Sequence, residues 1–251
     1  MFAELLARTD GLANQRTAPC LVVMQPTFLP WAGYFNLMAQ ADDFVFLDDV
    51  QLEKQSWQTR NRWLAGGQVH WITVPVRHTH LAQTIAATEV VDTSRWRDKL
   101  SRGFAQHYGR HRHFADARDI VETLHTHPEQ RLGALHEAVI RQIAARLGLA
   151  PRLHRASDLP NGGPRSQRLV GLCRELGAGR YLSPRGSADY LAEDRFAEQS
   201  PAALSFQDYR PPPYPQTGAA SFVPNLSIID VVANLGWAGA RGYVDPGNNL
   251  K

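Results

Sequence analysis

The sequence has 251 residues, of which 43% are hydrophobic and 20% are charged, and its formal net charge is +3. This apolar content can offset the entropy lost on folding, so a disordered or fibrous chain is excluded. The arginines are scattered rather than gathered into basic blocks, so nucleic acid is not indicated as a partner.

Cysteine use and the N-terminal residues predict the compartment. Cys20 and Cys173 lie in apolar surroundings without a CxxC partner, and we interpret them as buried free thiols. The opening "MFAELLARTDGL" lacks the apolar core of a signal peptide, and no apolar run approaches membrane-spanning length. These features predict a cytoplasmic protein without membrane insertion.

The first part of the chain, residues 19–93, predicts a βαβ unit. Continuous apolar runs at residues 20–24 and 44–48 are typical of strands covered on both faces, and the sequence between them has helical spacing. Further strands are predicted over residues 69–76 and 84–92, and we interpret them as a hairpin.

The remaining segments predict a helical insertion and a return of the α/β alternation. Residues 94–148 are helical, with breaks near Gly109, at 126–128 and at Gly133. Residues 149–194 form a second βαβ part, with a strand to Ser157, a helix over 165–178, a strand over 180–183 and a helix over 186–194. Residues 195–251 are a C-terminal extension, whose short helix has Ser227 as its N-cap and Asp230 three positions later.

Alternating strands and helices predict the fold class. We expect a single α/β domain over residues 1–251, with a Rossmann-like parallel sheet and helices on both faces. In such sheets, ligands bind at the carboxyl ends of the strands, where a helix N-terminus attracts anions. The loop after the first strand is therefore the first candidate site.

That loop reads "QPTFLPWAGYF". Pro26 stiffens the backbone, Gly33 permits close approach or an unusual φ, and Gln25 needs a polar partner or solvent. Trp31 and Tyr34 are candidate ligand contacts, although each aromatic residue here is also interpretable as core. The loop is predicted to bind a nucleotide or another phosphate.

Two aspartates follow the second predicted strand. Because adjacent strand residues face opposite sides, only one of Asp48 and Asp49 points into a cleft, and we choose Asp49. Its candidate roles are general base towards an amine or hydroxyl, or ligand of a magnesium ion that accompanies a nucleotide. The alternative is a pair of turn carboxylates.

A donor-rich loop is predicted next, beside Trp57 and Trp63. Arg60 and Arg62 are assigned to charge stabilisation because a guanidinium can hold two oxygens of a phosphate or carboxylate. The other candidate donors of this loop are Gln51, Lys54 and Asn61.

A later anion site is predicted where the strand over 180–183 meets its helix. Its candidate residues are Ser183, Ser187 and Tyr190, and a plain helix N-cap is the alternative. Three His-x-His pairs are not assigned to metal, because two of them lie in helical sequence where positions i and i+2 diverge. No G-x-S-x-G motif supports Ser-His-Asp catalysis.

Two resemblances extend this interpretation. The loop distantly resembles the nucleotidylyltransferase-like α/β superfamily, but its H-x-G-H signature keeps only Gly33, since Trp31 and Tyr34 replace the histidines. The segment "YLSPRGSADYL" resembles the serine-rich loop that pantothenate synthetase-like members place against ATP.

A closer match is to the WbqC-like family. The blocks "QPTFLPWAGYF", "FVFLDDVQ", "WQTRNR", "YLSP" and "FVPNLSIIDVVANLG" resemble it in this order. The family is tied to surface-polysaccharide gene clusters, including those for O-antigen, and has been suggested to include glycine transferases acting on sugars. The resemblance therefore implies acyl or aminoacyl transfer to a sugar or glycan precursor.

Two classes of function follow. The first is a transferase, or an ATP-dependent amide-forming enzyme, that uses an activated or nucleotide-bearing donor. The second is a non-catalytic module that binds a nucleotide-sugar or phosphorylated ligand. The partner is a small sugar, amino acid or nucleotide in both, ATP with magnesium is a candidate cofactor, and turnover separates the two classes.

Overall fold

The computed structural model describes residues 18–92, 95–160 and 162–245. The N-terminal segment used to predict the compartment, the helix start at Ser94 and residues 246–251 lie outside this described part. The described residues form two compact units: the first takes those within 1–24, 40–46 and 151–208, and the second those within 25–39, 47–150 and 209–251. The single domain and its segment boundaries stay predictions.

Nine strands and eight α-helices are present in the described residues. The strands are β1 (Cys20–Met24), β2 (Asp43–Phe46), β3 (Arg60–Ala65), β4 (Gln68–Thr73), β5 (Val76–Arg77), β6 (Glu89–Val90), β7 (Arg152–Arg155), β8 (Arg180–Ser183) and β9 (Ala203–Phe206). The helices are α1 (Ala32–Ala39), α2 (Trp96–Tyr108), α3 (Phe114–Thr126), α4 (Leu132–Arg146), α5 (Ser166–Glu175), α6 (Ala188–Glu193), α7 (Phe196–Gln199) and α8 (Ile228–Val244).

The first unit is built on a five-stranded parallel sheet. Its strand order is β7-β2-β1-β8-β9, and every neighbouring pair is parallel. The central strand β1 reads as a continuous apolar run because Leu21 and Val22 are completely buried. Helices α5, α6 and α7 connect the strands of its second half. The predicted α/β, Rossmann-like class is confirmed.

The second unit contains the helical segment and the C-terminal helix. The predicted breaks are confirmed, since α2 ends just before Gly109 and α3 ends at Thr126. The predicted break at Gly133 is wrong, because this glycine lies in the first turn of α4. The apolar face of α4 is confirmed: Leu135 and Ile143, two of the apolar residues that recur every four positions, are completely buried.

Two further predictions on this unit are corrected. The hairpin pairs β3 with β4, whereas the predicted strand over 84–92 contributes only Glu89–Val90. The last helix is longer than predicted and bends at Gly236, whose φ is 68°. Ser227 caps it by accepting a hydrogen bond from the Ile229 amide. No helix in the described part of the chain combines the length and apolar character needed to cross a membrane.

Candidate functional site

The β3–β4 hairpin has a buried and an exposed face. Its strands turn at Gly66 and Gly67, whose φ values of 60° and 77° suit a two-residue hairpin turn. Alternate residues face opposite sides, so Asn61 and Trp63 are buried while Arg60 and Arg62 lie on the other face. The prediction that these arginines belong to a loop is therefore wrong: they lie on a strand.

The exposed side carries a cluster of two tryptophans and two arginines, which we call the Trp–Arg face: Trp57, Arg60, Arg62 and Trp71. The Trp57 and Trp71 rings are 5.6 Å apart, and they keep 48% and 49% of their surface exposed. The Arg60 guanidinium lies 4.2 Å from the Trp71 ring centre, and that of Arg62 lies 5.5 Å from Trp57. Neighbouring aromatic rings that stay exposed beside cationic side chains are typical of binding surfaces.

In the part of the chain that the structure describes, no carboxylate neutralises the positive charge of this face. Among the described residues, neither Arg60 nor Arg62 forms an ion pair. Arg62 donates to the Asn225 carbonyl at 3.2 Å, while its buried Nε has no partner among these residues. Guanidinium groups held by aromatic rings keep donors for an anion such as phosphate or carboxylate.

Trp71 was not predicted from the sequence as part of the site. It pairs directly with Arg62 across the hairpin, so the two side chains share one face. The Gly66–Gly67 turn followed by alternation along residues 60–73 was the available signal, but charged residues at outward positions obscured the strand.

The stiff opening loop is anchored mainly through its backbone. The Phe28 amide donates to the Trp57 carbonyl at 2.9 Å. Buried Asn61 donates to the carbonyls of Phe28 and Leu29, at 2.9 and 2.7 Å. Leu29 has a φ of 45°, a left-handed conformation that a leucine adopts only when its surroundings hold it there. Asn61 thus supports the loop, and its ligand-binding role stays a prediction.

Gln25 and Tyr34 belong to a polar cluster at the start of this loop. Gln25 finds the polar partner it needs, because Gln58 donates to its side-chain oxygen at 2.9 Å. Tyr34 donates to the Gln25 carbonyl at 3.3 Å. Burial and the negative charge of Glu137 raise the pKa of Tyr34 well above its ordinary value, so this phenol stays protonated. Pro26 is buried, and its carbonyl lies 3.4 Å from His136 Nδ1.

Gly33 permits the close approach of a side chain. A Cβ at this position would lie 2.1 Å from the Trp31 ring, and Gly33 does not need a left-handed backbone. Half-exposed Trp31 also contacts the Tyr209 ring, with centroids 5.7 Å apart. The glycine therefore accommodates Trp31 at the start of α1, and a role of either residue in holding phosphate stays a prediction.

The paired aspartates lie beyond the end of their strand. Strand β2 ends at Phe46, so the alternation argument that selected Asp49 is wrong, although Asp49 is more exposed than the buried Asp48. This segment runs beside residues 81–86: the Asp48 carbonyl accepts from Ala86, and Gln51 donates to the Leu81 carbonyl at 2.6 Å. Lys54 is exposed. The roles of Asp49, Gln51 and Lys54 stay predictions.

The three candidates around β8 belong to the first unit, whereas the other predicted site residues belong to the second. Ser183 is completely buried at the end of β8. Ser187 occupies the N-cap position of α6, as the alternative expected, but its side chain makes no capping hydrogen bond there. Burial raises the pKa of Tyr190, and its hydrogen bond with Ser187 opposes this. A ligand-binding role for this group stays a prediction.

Within the described residues, no group of three or more His, Cys, Asp or Glu side chains could hold a metal ion. A magnesium ion that arrives with the phosphates of ATP needs only one or two protein carboxylates, and Asp49 is the candidate for such a contact.

The fold and the site define an α/β protein whose second unit exposes a cationic, aromatic surface. The chain belongs to the WbqC-like protein family, whose model matches residues 25–241. The uncharacterized protein Rv1507c of Mycobacterium tuberculosis is 29% identical over 224 residues, which cover 86% of this chain and 94% of that protein. No solved structure matches the chain.

Proposed function

We propose that this protein transfers an acyl or aminoacyl group, such as glycine, to a sugar of a surface-polysaccharide precursor such as O-antigen. The donor is activated or carries a nucleotide, and its anionic part binds the Trp–Arg face. Membership of the WbqC-like family supports the link to sugars, because this family is tied to surface-polysaccharide gene clusters. The observation that carries the proposal is that Arg60 and Arg62 have no carboxylate partner among the described residues.

The chemistry of the Trp–Arg face favours an anion attached to a ring. Hydrogen bonds from a charged donor contribute about 1.5–3 kcal/mol each, more than neutral ones. Exposed tryptophans supply flat apolar surface against which a sugar or base can stack. A neutral sugar alone would leave the charge of Arg60 and Arg62 without a counterpart.

The transfer step needs a base for the acceptor. The acceptor nitrogen or oxygen forms a bond to the carbonyl carbon of the donor, and the bond from that carbon to the leaving group breaks with its electron pair. The proton of the acceptor passes to a base, for which we propose Asp49. Arg60 and Arg62 stabilise the negative charge on the leaving group.

A non-catalytic module that binds the same ligands is the second candidate. The observation favouring it is the composition of the Trp–Arg face, since tryptophan and arginine side chains supply neither a nucleophile nor a base near neutral pH. Both candidates require ligand binding, and only the first requires turnover.

Calorimetric titration with pyrophosphate, ADP and UDP-glucose tests the shared step. We expect Arg60→Ala to weaken binding about 10- to 100-fold because a charge-assisted contact is lost. Arg110→Ala, a change at an exposed arginine of the same unit, is the control and should bind like the wild type. Equal affinities for the wild type and Arg60→Ala would contradict the proposal.

Turnover separates the enzyme from the binding module. With ATP, glycine and glucosamine present, an ATP-dependent transferase should release AMP or ADP and form a glycyl-sugar that mass spectrometry detects. Ligand-induced thermal stabilisation without product would favour the non-catalytic module.

A further inference from the structure

An open pocket lies within the second unit, beside the Trp–Arg face, and its empty space of about 400 Å³ includes open solvent. Four aromatic residues line it: Trp31, Tyr214, Phe222 and Tyr243. Asn225 also lines it, and the carbonyl of this residue accepts the hydrogen bond from Arg62. The pocket and the Trp–Arg face therefore meet at this contact.

One aromatic wall, Tyr214, is nearly perpendicular to two of the others. The Tyr214 ring lies 5.3 Å from that of Phe222 at an interplanar angle of 75°, and 5.0 Å from that of Tyr243 at 81°. A flat guest that lies parallel to the Tyr214 ring would therefore meet Phe222 and Tyr243 nearly at right angles, which is a favoured aromatic geometry. The pocket shape thus suits a planar ring.

A buried hydrogen-bond network holds one wall in place. Tyr214 donates to the Asp230 carboxylate at 2.6 Å, and Tyr108 donates to its other oxygen at 2.8 Å. Asp230 is completely buried, and Gln216 also donates to it and to the Tyr214 hydroxyl. This wall is fixed before any ligand arrives, so binding costs little additional ordering.

The pocket offers few polar groups to a guest. The Tyr214 hydroxyl is already used within the network, which leaves the Asn225 side chain, the Tyr243 hydroxyl and the Trp31 indole N–H as the polar side-chain groups among the lining residues. A hexose would bury several hydroxyls here, whereas stacking a nucleobase on an aromatic ring is favourable and leaves only its edge to be satisfied. This comparison favours a base over a sugar.

We propose that this pocket binds the nucleobase of the donor while its phosphates lie on Arg60 and Arg62. This inference rests on the proposed function, because it assumes that the Trp–Arg face holds phosphate. The pocket thereby lets the protein bind a nucleotide in preference to a free phosphate or an acyl phosphate, neither of which carries a base.

Removing one wall tests the assignment. Phe222 is half-exposed, so Phe222→Ala opens the pocket with little loss of core. We expect calorimetry to show about tenfold weaker binding of ADP and UDP and unchanged binding of pyrophosphate. Phe114→Ala, at a half-exposed phenylalanine of the same unit that does not line the pocket, should change none of these affinities. Circular dichroism checks that both variants are folded.

The outcomes separate this inference from the proposed function. If ADP, UDP and pyrophosphate bind the wild type equally, or Phe222→Ala binds ADP and UDP unchanged, the pocket assignment is wrong while phosphate binding on Arg60 stands. If adenosine binds and Phe222→Ala abolishes this binding, but pyrophosphate does not bind, the pocket assignment stands and the anion site is wrong. If none of these probes binds the wild type, both proposals fall.

Discussion

His136 should make the stability of this protein fall as the pH is lowered from 7 to 4. It lies on α4 with 2% of its surface exposed, its Nδ1 is 3.4 Å from the Pro26 carbonyl, and its ring is 5.8 Å from that of Phe28. Burial lowers the pKa of His136 from 6.5 to about 4, and the contact with the Pro26 carbonyl opposes this shift. The imidazole is therefore neutral in the folded protein.

The size of the effect follows from the two pKa values. The folded-state pKa lies below the unfolded one, so unfolding takes up a proton between them, and the stabilisation present above pH 6.5 is lost as the pH falls towards 4. A difference of about 2.5 between these pKa values corresponds to about 3 kcal/mol. We expect about 2 kcal/mol of this to be lost between pH 7 and pH 5.

Urea unfolding at pH 7, 6, 5 and 4.5 measures this loss. His136→Gln keeps an amide donor for Pro26 without titrating, so its free energy of unfolding should depend less on pH than that of the wild type by about 2 kcal/mol between pH 7 and 5. His80→Gln, at an exposed histidine, should keep the wild-type pH dependence. If His136→Gln and the wild type lose stability in parallel, the imidazole is not held neutral by burial.

Two further substitutions test the supports of the site. Asn61→Ala leaves the carbonyls of Phe28 and Leu29 without their donor, and it should lower the free energy of unfolding by about 2–4 kcal/mol in urea titrations; a loss confined to ligand affinity would instead make Asn61 a binding residue. Asp230→Ala leaves the buried phenol of Tyr108 without its acceptor and should cost about 3–5 kcal/mol, whereas a change below about 1 kcal/mol would refute the network.

The sequence predicts best those elements whose pattern reflects their own burial. Strand β1 reads as an unbroken apolar run, and strand β2 does so after Asp43, because these residues are buried in the sheet. The helices α2, α3 and α4 follow from period and from breaks at glycine and proline. In these elements, local sequence and tertiary burial agree.

The hairpin and the candidate site depend on contacts between residues that are far apart in the sequence. Strand β3 begins with Arg60, Asn61 and Arg62. These residues resemble a polar loop because the outward face of the strand does not pack against the core. Arg62 meets Asn225 across 163 positions, a contact that no local pattern contains. The Asp230 position resembled part of a capping box, but its carboxylate instead accepts from two buried tyrosines. Tertiary packing decided these cases.

Tryptophan fluorescence during titration with UDP-glucose tests the Trp–Arg face most directly. Of the six tryptophans, all of which lie in the described part of the chain, Trp57 and Trp71 are the exposed ones. The account predicts a saturable change in the wild type, loss of most of this change when Trp57→Phe and Trp71→Phe are combined, and a midpoint about tenfold higher in Arg60→Ala. An equal change in the doubly substituted protein, or no change in the wild type, would contradict ligand binding at this face.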